Sequence, residues 1–179
     1  MASTSLYLFP QEGLDYSLNV FPRGTQAVPS NLYVGLIGST TWSTIEGYGL
    51  TNINVTLNTG TYIVNELASG SGYTARYTVP STAWQTPTAG TVTIGSNTIN
   101  TRSTTTSGSG TTITFTNGGA SNWSVNGMFV ATSVTVGQAS GGGTTVLWYA
   151  PFADQGTLTV APGDSVTITP YWQAAPYPA

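Results

Sequence analysis

Apolar and polar residues alternate along most of this chain, with the two-residue period of a β-strand that buries one face. Thr, Ser, Gly, Asn and Val dominate, and apolar residues seldom recur every three or four positions, so little helix is expected. The alternating segments are 53–57, 73–79, 92–94, 113–115, 125–131, 158–160 and 166–168. This pattern predicts an all-β fold.

Two further segments, Leu32 to Ile37 and Val146 to Tyr149, are continuously apolar. A short uninterrupted apolar run is typical of a strand that is covered on both faces. We therefore expect these two strands at the centre of the fold.

Gly-rich and Pro-rich turns separate the strand segments, and many short strands with such turns indicate an antiparallel β-sandwich or jelly roll. Pro162-Gly163 fits a type II turn, because Pro sets φ at its second position and Gly accepts the positive φ at its third. We expect this turn to join strands Leu158–Val160 and Ser165–Thr169 in a tight hairpin. The Thr-, Ser- and Gly-rich segment 97–112 is expected to be a flexible loop or an exposed hairpin.

The two ends differ from the middle of the chain. Residues 1–30 contain Pro10, Pro22 and Pro29 and show no sustained alternation of apolar and polar residues, which predicts an extended N-terminal arm. A β-sandwich domain is expected at 31–172 and a Pro-rich C-terminal tail at 173–179. The arm is too apolar for a solvated tail, so it packs either on its own sandwich or on a neighbouring subunit. The predicted interface residues are Leu8, Phe9, Tyr16, Val20, Phe21, Tyr171, Trp172 and Tyr177.

Only 5% of the 179 residues are charged, and the chain contains no His, no Cys and no Lys. Zinc sites, imidazole-based triads and P-loops need those residues, so we expect no enzyme activity, catalytic residue, metal or cofactor. Three scattered Arg do not form a phosphate-binding surface, and no run of about 18 apolar residues occurs, so nucleic-acid and membrane partners are not expected. Asp154 and Asp164 are the best candidate for a glycosidase carboxylate pair, but Asp164 follows Pro-Gly as ordinary turn chemistry.

The five Trp and ten Tyr admit two interpretations. They could stack on sugars in a carbohydrate-binding module, or they could form core and interface contacts, which is the interpretation we favour. Trp123, which precedes an alternating strand, is expected in the core. The scarcity of charge is typical of a subunit that assembles with others.

Several motifs resemble those of a known family. They are Arg23-Gly24-Thr25, Leu32-Tyr33-Val34-Gly35-Leu36, Glu66 with Gly70-Ser71-Gly72-Tyr73-Thr74-Ala75-Arg76, Trp123 to Val130, Val146 to Ala150 and Val160 to Val166. Together they are similar to small virion proteins of tailed bacteriophages over most of residues 14–172. The chain departs from that family by long insertions around 39–62 and 85–112.

The resemblance implies a capsid cement or decoration protein: a homotrimer on the outer capsid surface that binds the major capsid protein or other virion proteins where capsomers meet. A tail-fibre or tail adaptor subunit is the alternative, and a carbohydrate-binding β-sandwich module for host recognition is a further one. The motifs bring no catalytic residue. Glu66 and Arg76 flank a Gly-rich turn and are expected to pair across it, with a contribution of about 0–1 kcal/mol if the pair is exposed.

Overall fold

A computed structural model describes residues 11–38, 66–67, 71–94, 97–105, 112–133, 145–152 and 157–174. The predicted strand at 53–57 lies outside these ranges. The elements are α1 (Gln11–Val20), β1 (Asn31–Ile37), β2 (Tyr77–Pro80), a 3-10 turn (Ser81–Ala83), β3 (Thr88–Ile94), β4 (Asn97–Thr105), β5 (Ile113–Thr116), β6 (Trp123–Val125), β7 (Gly127–Ala131), β8 (Val146–Pro151), β9 (Leu158–Val160), β10 (Ser165–Ile168) and β11 (Tyr171–Ala174). The all-β prediction is confirmed at this level, since the sheets are antiparallel and account for most of the described elements.

The largest sheet has four strands in the order β2-β1-β7-β8, all antiparallel. Its strands β1, β7 and β8 carry consecutive buried residues, as predicted for the two continuous apolar segments. Successive side chains point to opposite faces of a strand, so each face of this sheet has its own apolar cluster. Val34, Leu36 and Trp148 belong to the larger cluster, whereas Ile37 and Phe129 belong to the smaller one.

The other strands form a three-stranded sheet, β11-β4-β3, and two strand pairs, β5-β10 and β6-β9. Buried and exposed residues alternate along β5 and β10, as the sequence pattern predicts. Strands β3 and β4 are antiparallel neighbours, with Ile94 opposite Asn97 at one end and Thr88 opposite Ser103 at the other. The first part of the Thr-rich segment 97–112 is therefore a strand of a hairpin. Strand β11 spans the predicted boundary between residues 172 and 173.

The Pro162-Gly163 turn is confirmed, but the hairpin expected around it is wrong. Gly163 has φ 85°, and the Asp164 amide donates to the Ala161 carbonyl at 2.9 Å, which closes the turn. Strand β9 nevertheless pairs with β6, and β10 pairs with β5. The turn therefore connects two separate strand pairs.

Asn117 accounts for this difference, because it occupies the hydrogen bonds that a hairpin would use next to the turn. Its amide donates to the Asp164 carbonyl and its carbonyl accepts from the Gly163 amide, both at 2.8 Å. Its buried side chain donates to the carbonyls of Val160 and Ser121 at 2.8 and 2.9 Å. These bonds hold β9 and β10 apart.

The expected extended N-terminal arm is wrong over Gln11–Val20, which form the helix α1. Pro10 directly precedes this helix in sequence, where a proline does not interrupt helical hydrogen bonds. The chain then folds back, and the Tyr16 hydroxyl donates to the Ala27 carbonyl at 3.2 Å. Helix α1 packs on β8 of the same chain, so this part of the arm covers its own sheet.

Candidate interaction site

Helix α1 has an inner and an outer face. On the inner face, the backbone of Gly13 lies against the carbonyls of Val146 and Leu147 in β8, so closely that a Cβ atom at Gly13 would overlap the Leu147 oxygen. Leu14 and Leu18 lie exposed on the outer face, and Phe21 directly follows the helix, with its amide donating to the Ser17 carbonyl at 3.0 Å in continuation of the helical pattern. The close approach of the helix to the sheet therefore depends on glycine. Tyr16 packs partly buried against the core, whereas Leu14, Leu18 and Phe21 are left exposed.

Leu14, Leu18 and Phe21 form what we call the α1 stripe. Their spacing of i, i+4 and i+7 places them along one line on the helix surface. They are 40%, 56% and 80% exposed, respectively. A surface helix normally turns such a stripe towards the core, and an exposed apolar patch marks a binding surface. The α1 stripe is thus a candidate contact for another protein.

A groove lies beside the stripe, and we call it the Trp84 groove. It encloses about 180 Å³ between α1, the segment before β1, the 3-10 turn and β8. The lining residues are Tyr16, Ser17, Val20, Phe21, Val28, Pro29, Leu32, Ser81, Trp84 and Leu147. Most of these side chains are apolar or aromatic, which is the character of a ligand or peptide groove.

The indole of Trp84 has a polar atom without a partner. Its Nε1 is buried and has no hydrogen-bond acceptor among the described residues. A buried indole N–H normally finds an acceptor, so an unsatisfied one calls for an explanation. Trp84 therefore contributes to the groove wall while its buried N–H group lacks an acceptor among the described residues.

The predicted interface residues divide into three groups. Tyr16, Val20 and Phe21 come together in the Trp84 groove, and Phe21 also belongs to the α1 stripe. Tyr171 and Trp172 lie in β11, paired with Thr105 and Thr104, respectively. Leu8, Phe9 and Tyr177 lie outside the described residues.

The predicted pair of Glu66 and Arg76 is present, and it is buried instead of exposed. Arg76 Nε and Nη2 donate to Glu66 Oε1 and Oε2, each at 2.8 Å, and the two side chains are only 3% and 10% exposed. Arg76 Nη1 donates to the Ser133 carbonyl at 2.8 Å, and the guanidinium carbon lies 5.0 Å from the centre of the Phe129 ring. The guanidinium thus donates hydrogen bonds both to the Glu66 carboxylate and to the Ser133 carbonyl. These bonds connect the segment before β2, which carries Arg76, to the segment just after β7.

Tyr73 extends this network to the edge of β1. Its hydroxyl donates to Glu66 Oε1 at 3.1 Å and accepts from the Leu36 amide at 3.3 Å. Strand β2 pairs with β1 only as far as Val34, so the Leu36 amide lies beyond the end of that ladder. Burial and the negative charge of Glu66 raise the pKa of Tyr73 above its usual value. The hydroxyl therefore stays protonated and holds the two segments together.

Two of the tryptophans that could have stacked on sugars are buried in the core. Trp123 is in the core, as predicted, and its Nε1 donates to the Ser71 carbonyl at 2.8 Å. Trp148 is also fully buried in the larger apolar cluster. Neither indole face is open for stacking on a sugar, whereas Trp84 in its groove is partly exposed.

Two buried asparagines with structural roles were not singled out by their sequence context. Asn117 separates β9 from β10, as described above. Asn126 lies between β6 and β7, where its amide donates to the Ile37 carbonyl at 2.9 Å and its side chain donates to the Gly38 carbonyl at 2.7 Å. Each precedes a glycine, which predicts a turn or a bulge but not these long-range bonds.

Within the described ranges, no three side chains of His, Cys, Asp or Glu lie close enough together to bind a metal ion. Asp164 is exposed in its turn, and Asp154 lies outside the described residues. No helix of the described ranges has the length and apolar character needed to cross a membrane.

Comparisons with protein-family models, with curated proteins and with solved structures found no match.

Proposed function

We propose that this chain is a structural subunit of a tailed-bacteriophage virion, and specifically a capsid cement or decoration protein on the outer capsid surface. In this role it is a homotrimer that contacts the major capsid protein where capsomers meet. It has no catalytic residue, and its work is mechanical.

The observation that carries the proposal is the α1 stripe. A helix that exposes Leu14, Leu18 and Phe21 while a glycine faces its own sheet is built for contact with a partner. The chain also has only nine charged side chains among 179 residues, so it has few charges to oppose association. Both features favour an assembling subunit over an isolated monomer.

The mechanism follows from repetition. A stable contact of standard size buries about 1,600 Å² in total, and its effect on a shell is multiplied because many copies bind the same lattice. Apolar contacts through α1 at each junction raise the free energy needed to separate neighbouring capsomers. The buried Glu66–Arg76 pair supports this role by fixing the framework that carries α1.

The test compares particle binding by Leu14→Ser/Leu18→Ser with binding by Asp15→Ser. Asp15 is exposed on the same helix but lies outside the α1 stripe, so it controls for a surface substitution. Particles of the encoding phage that lack the protein are mixed with each purified variant, and bound chain is measured after sedimentation. We expect the double variant to lose binding at least about tenfold and the control to bind normally. Leu14 and Leu18 are 40% and 56% exposed, so the contact can bury about one full side chain's worth of apolar surface, and its loss costs about 1.5–3 kcal/mol in total.

Equal binding by both variants would show that α1 is not the contact. A tail-fibre or adaptor subunit is the second candidate, because the same stripe would serve a contact in the tail. The two roles differ in copy number, with many copies in a shell and only a handful in a tail.

A further inference from the structure

The Trp84 groove has the features of a peptide site. Tyr16, Trp84 and Pro29 give it flat aromatic and apolar walls, and the buried Trp84 Nε1 lacks an acceptor among the described residues. A ligand suited to this groove supplies an apolar surface, and a hydrogen-bond acceptor that reaches Trp84 Nε1 would satisfy that atom.

A proline-containing extended peptide supplies both. In the polyproline II conformation a chain makes no internal hydrogen bonds, so its carbonyls are free to accept. Grooves lined by aromatic residues bind such segments because proline rings pack on aromatic faces and little conformational entropy is lost. An indole N–H beside the aromatic face is suited to bond one of those carbonyls.

This chain carries such a segment at its C-terminus. Residues 175–179 read Ala-Pro-Tyr-Pro-Ala, directly after the last residue of β11. We propose that the Trp84 groove binds this tail from a second copy of the chain. The inference concerns self-association and holds whether or not the assembly belongs to a virion.

The direction of β11 favours a second copy over the same chain. The first residue of β11, Tyr171, pairs with Thr105 at the end of β4. This end of β4 lies close to Trp84, because Thr104 Oγ1 donates to the carbonyl of the next residue, Gln85, at 2.6 Å. From there β11 runs away from Gln85 to Ala174, which pairs with Arg102. Five further residues span at most about 17 Å, and they start from the end of β11 that lies farther from Gln85, so a return to Trp84 within the same chain would require the segment to reverse direction at once.

One groove and one tail in each copy make a head-to-tail contact. Contacts of that kind close into rings when the rotation between copies allows it. The proposed homotrimer is one such ring. Each junction in it would place one Trp84 and one Tyr177 in contact.

The test uses the chain of 179 residues and two variants that leave the described core intact. Val28→Glu places a charge at an exposed position in the groove wall, and Gln26→Glu is its control, since Gln26 is exposed nearby but does not line the groove. The tail variant carries Pro176→Ala, Tyr177→Ala and Pro178→Ala. Self-association is measured by sedimentation velocity over a range of concentrations.

Val28→Glu and the tail variant are each expected to weaken self-association by at least about tenfold, because one buries a charge and the other removes the ligand. Gln26→Glu is expected to behave as the unaltered chain. Mixing Val28→Glu copies with tail-variant copies pairs an intact tail with an intact groove, so a mixed dimer is expected where neither variant associates alone.

The indole N–H signals in a nitrogen–proton NMR spectrum give a second readout. Trp84→Phe identifies the Trp84 signal among the five, and that signal is expected to shift on dilution and in the tail variant. A Trp84 signal that responds to neither change would overturn the proposal. A signal that responds to the tail variant but not to dilution would place the tail in the groove of its own chain, which also contradicts the second-copy assignment.

Discussion

Replacing Arg76 with methionine tests how strongly the buried ion pair stabilises the fold. Methionine keeps an unbranched apolar side chain over Phe129 but removes all three hydrogen bonds of the guanidinium. It leaves the carboxylate of Glu66 buried with the Tyr73 hydroxyl as its remaining donor among the bonds described above. The free energy of unfolding is expected to fall for that reason.

The size of the effect follows from the burial of the two side chains. Removing one partner of a buried pair costs about 3–5 kcal/mol, because the other charge stays buried without its ion partner, whereas exposed pairs contribute about 0–1 kcal/mol. With both side chains of the pair at or below 10% exposure, the larger range applies. A loss of that size is a large share of a typical domain stability of about 5–15 kcal/mol.

Urea unfolding followed by tryptophan fluorescence measures the loss by linear extrapolation. Arg23→Met is the matched control, because Arg23 is exposed and bonds only locally to Asn19 Oδ1 at 2.7 Å, and it is expected to cost less than about 0.5 kcal/mol. Adding Glu66→Gln to Arg76→Met removes both charges and is expected to cost at least about 1 kcal/mol less than the sum of the single variants. A cost below about 1 kcal/mol for Arg76→Met, or strict additivity, would refute the argument from burial.

Three further predictions concern α1, the turn and alkaline pH. Gly13→Ala is expected to displace α1 from β8 and raise proteolysis near residue 20, because the added methyl group overlaps the Leu147 carbonyl; unchanged protection would contradict the packing. Asn117→Ala is expected to lower the free energy of unfolding by about 2–4 kcal/mol in urea titrations, since the buried carbonyl of Val160 and the part-buried carbonyl of Ser121 lose their donor. A loss below about 0.5 kcal/mol would contradict that role. Burial raises the pKa of Tyr149 to about 12 and also raises that of Tyr73. The contribution of these two tyrosines to stability is therefore complete below pH 10 and is lost as pH rises from 10 towards 12. At about 1.4 kcal/mol per unit, Tyr149 alone accounts for roughly 3 kcal/mol, and a flat unfolding midpoint over that range would contradict it.

The strands were predictable where burial follows the local pattern. Strands β5 and β10 alternate between buried and exposed residues, and the continuous apolar runs of β1 and β8 are buried on both faces. Such strands are recognised from sequence because one or both faces meet the core directly.

The helix α1 was not predictable from apolar periodicity in the usual way. Its closest approach to the sheet is at a glycine, and Tyr16 is only partly buried, whereas Leu14 and Leu18 are exposed, so the apolar stripe does not mark the face that packs. The prolines before and after it also suggested an extended chain. A contact that depends on the absence of a side chain leaves little signal in a hydropathy pattern.

The remaining differences come from long-range contacts. A type II turn is compatible with a hairpin or with a connection between two strand pairs, and the bonds from Asn117, more than forty residues away in sequence, select the second. The pairing of Glu66 with Arg76 was suggested by their position around a Gly-rich turn. Its burial depends on β7 and on Ser133, which the local sequence does not reveal.

The central claim is that the chain is a repeated structural subunit of a virion shell, and its copy number in purified particles tests that claim most directly. Quantitative mass spectrometry with isotope-labelled peptides from this chain and from the major capsid protein would give the ratio of the two. A cement protein predicts hundreds of copies per particle, in a fixed ratio to the capsid protein. A handful of copies would instead indicate a tail subunit, and absence from the particles would contradict the structural role altogether.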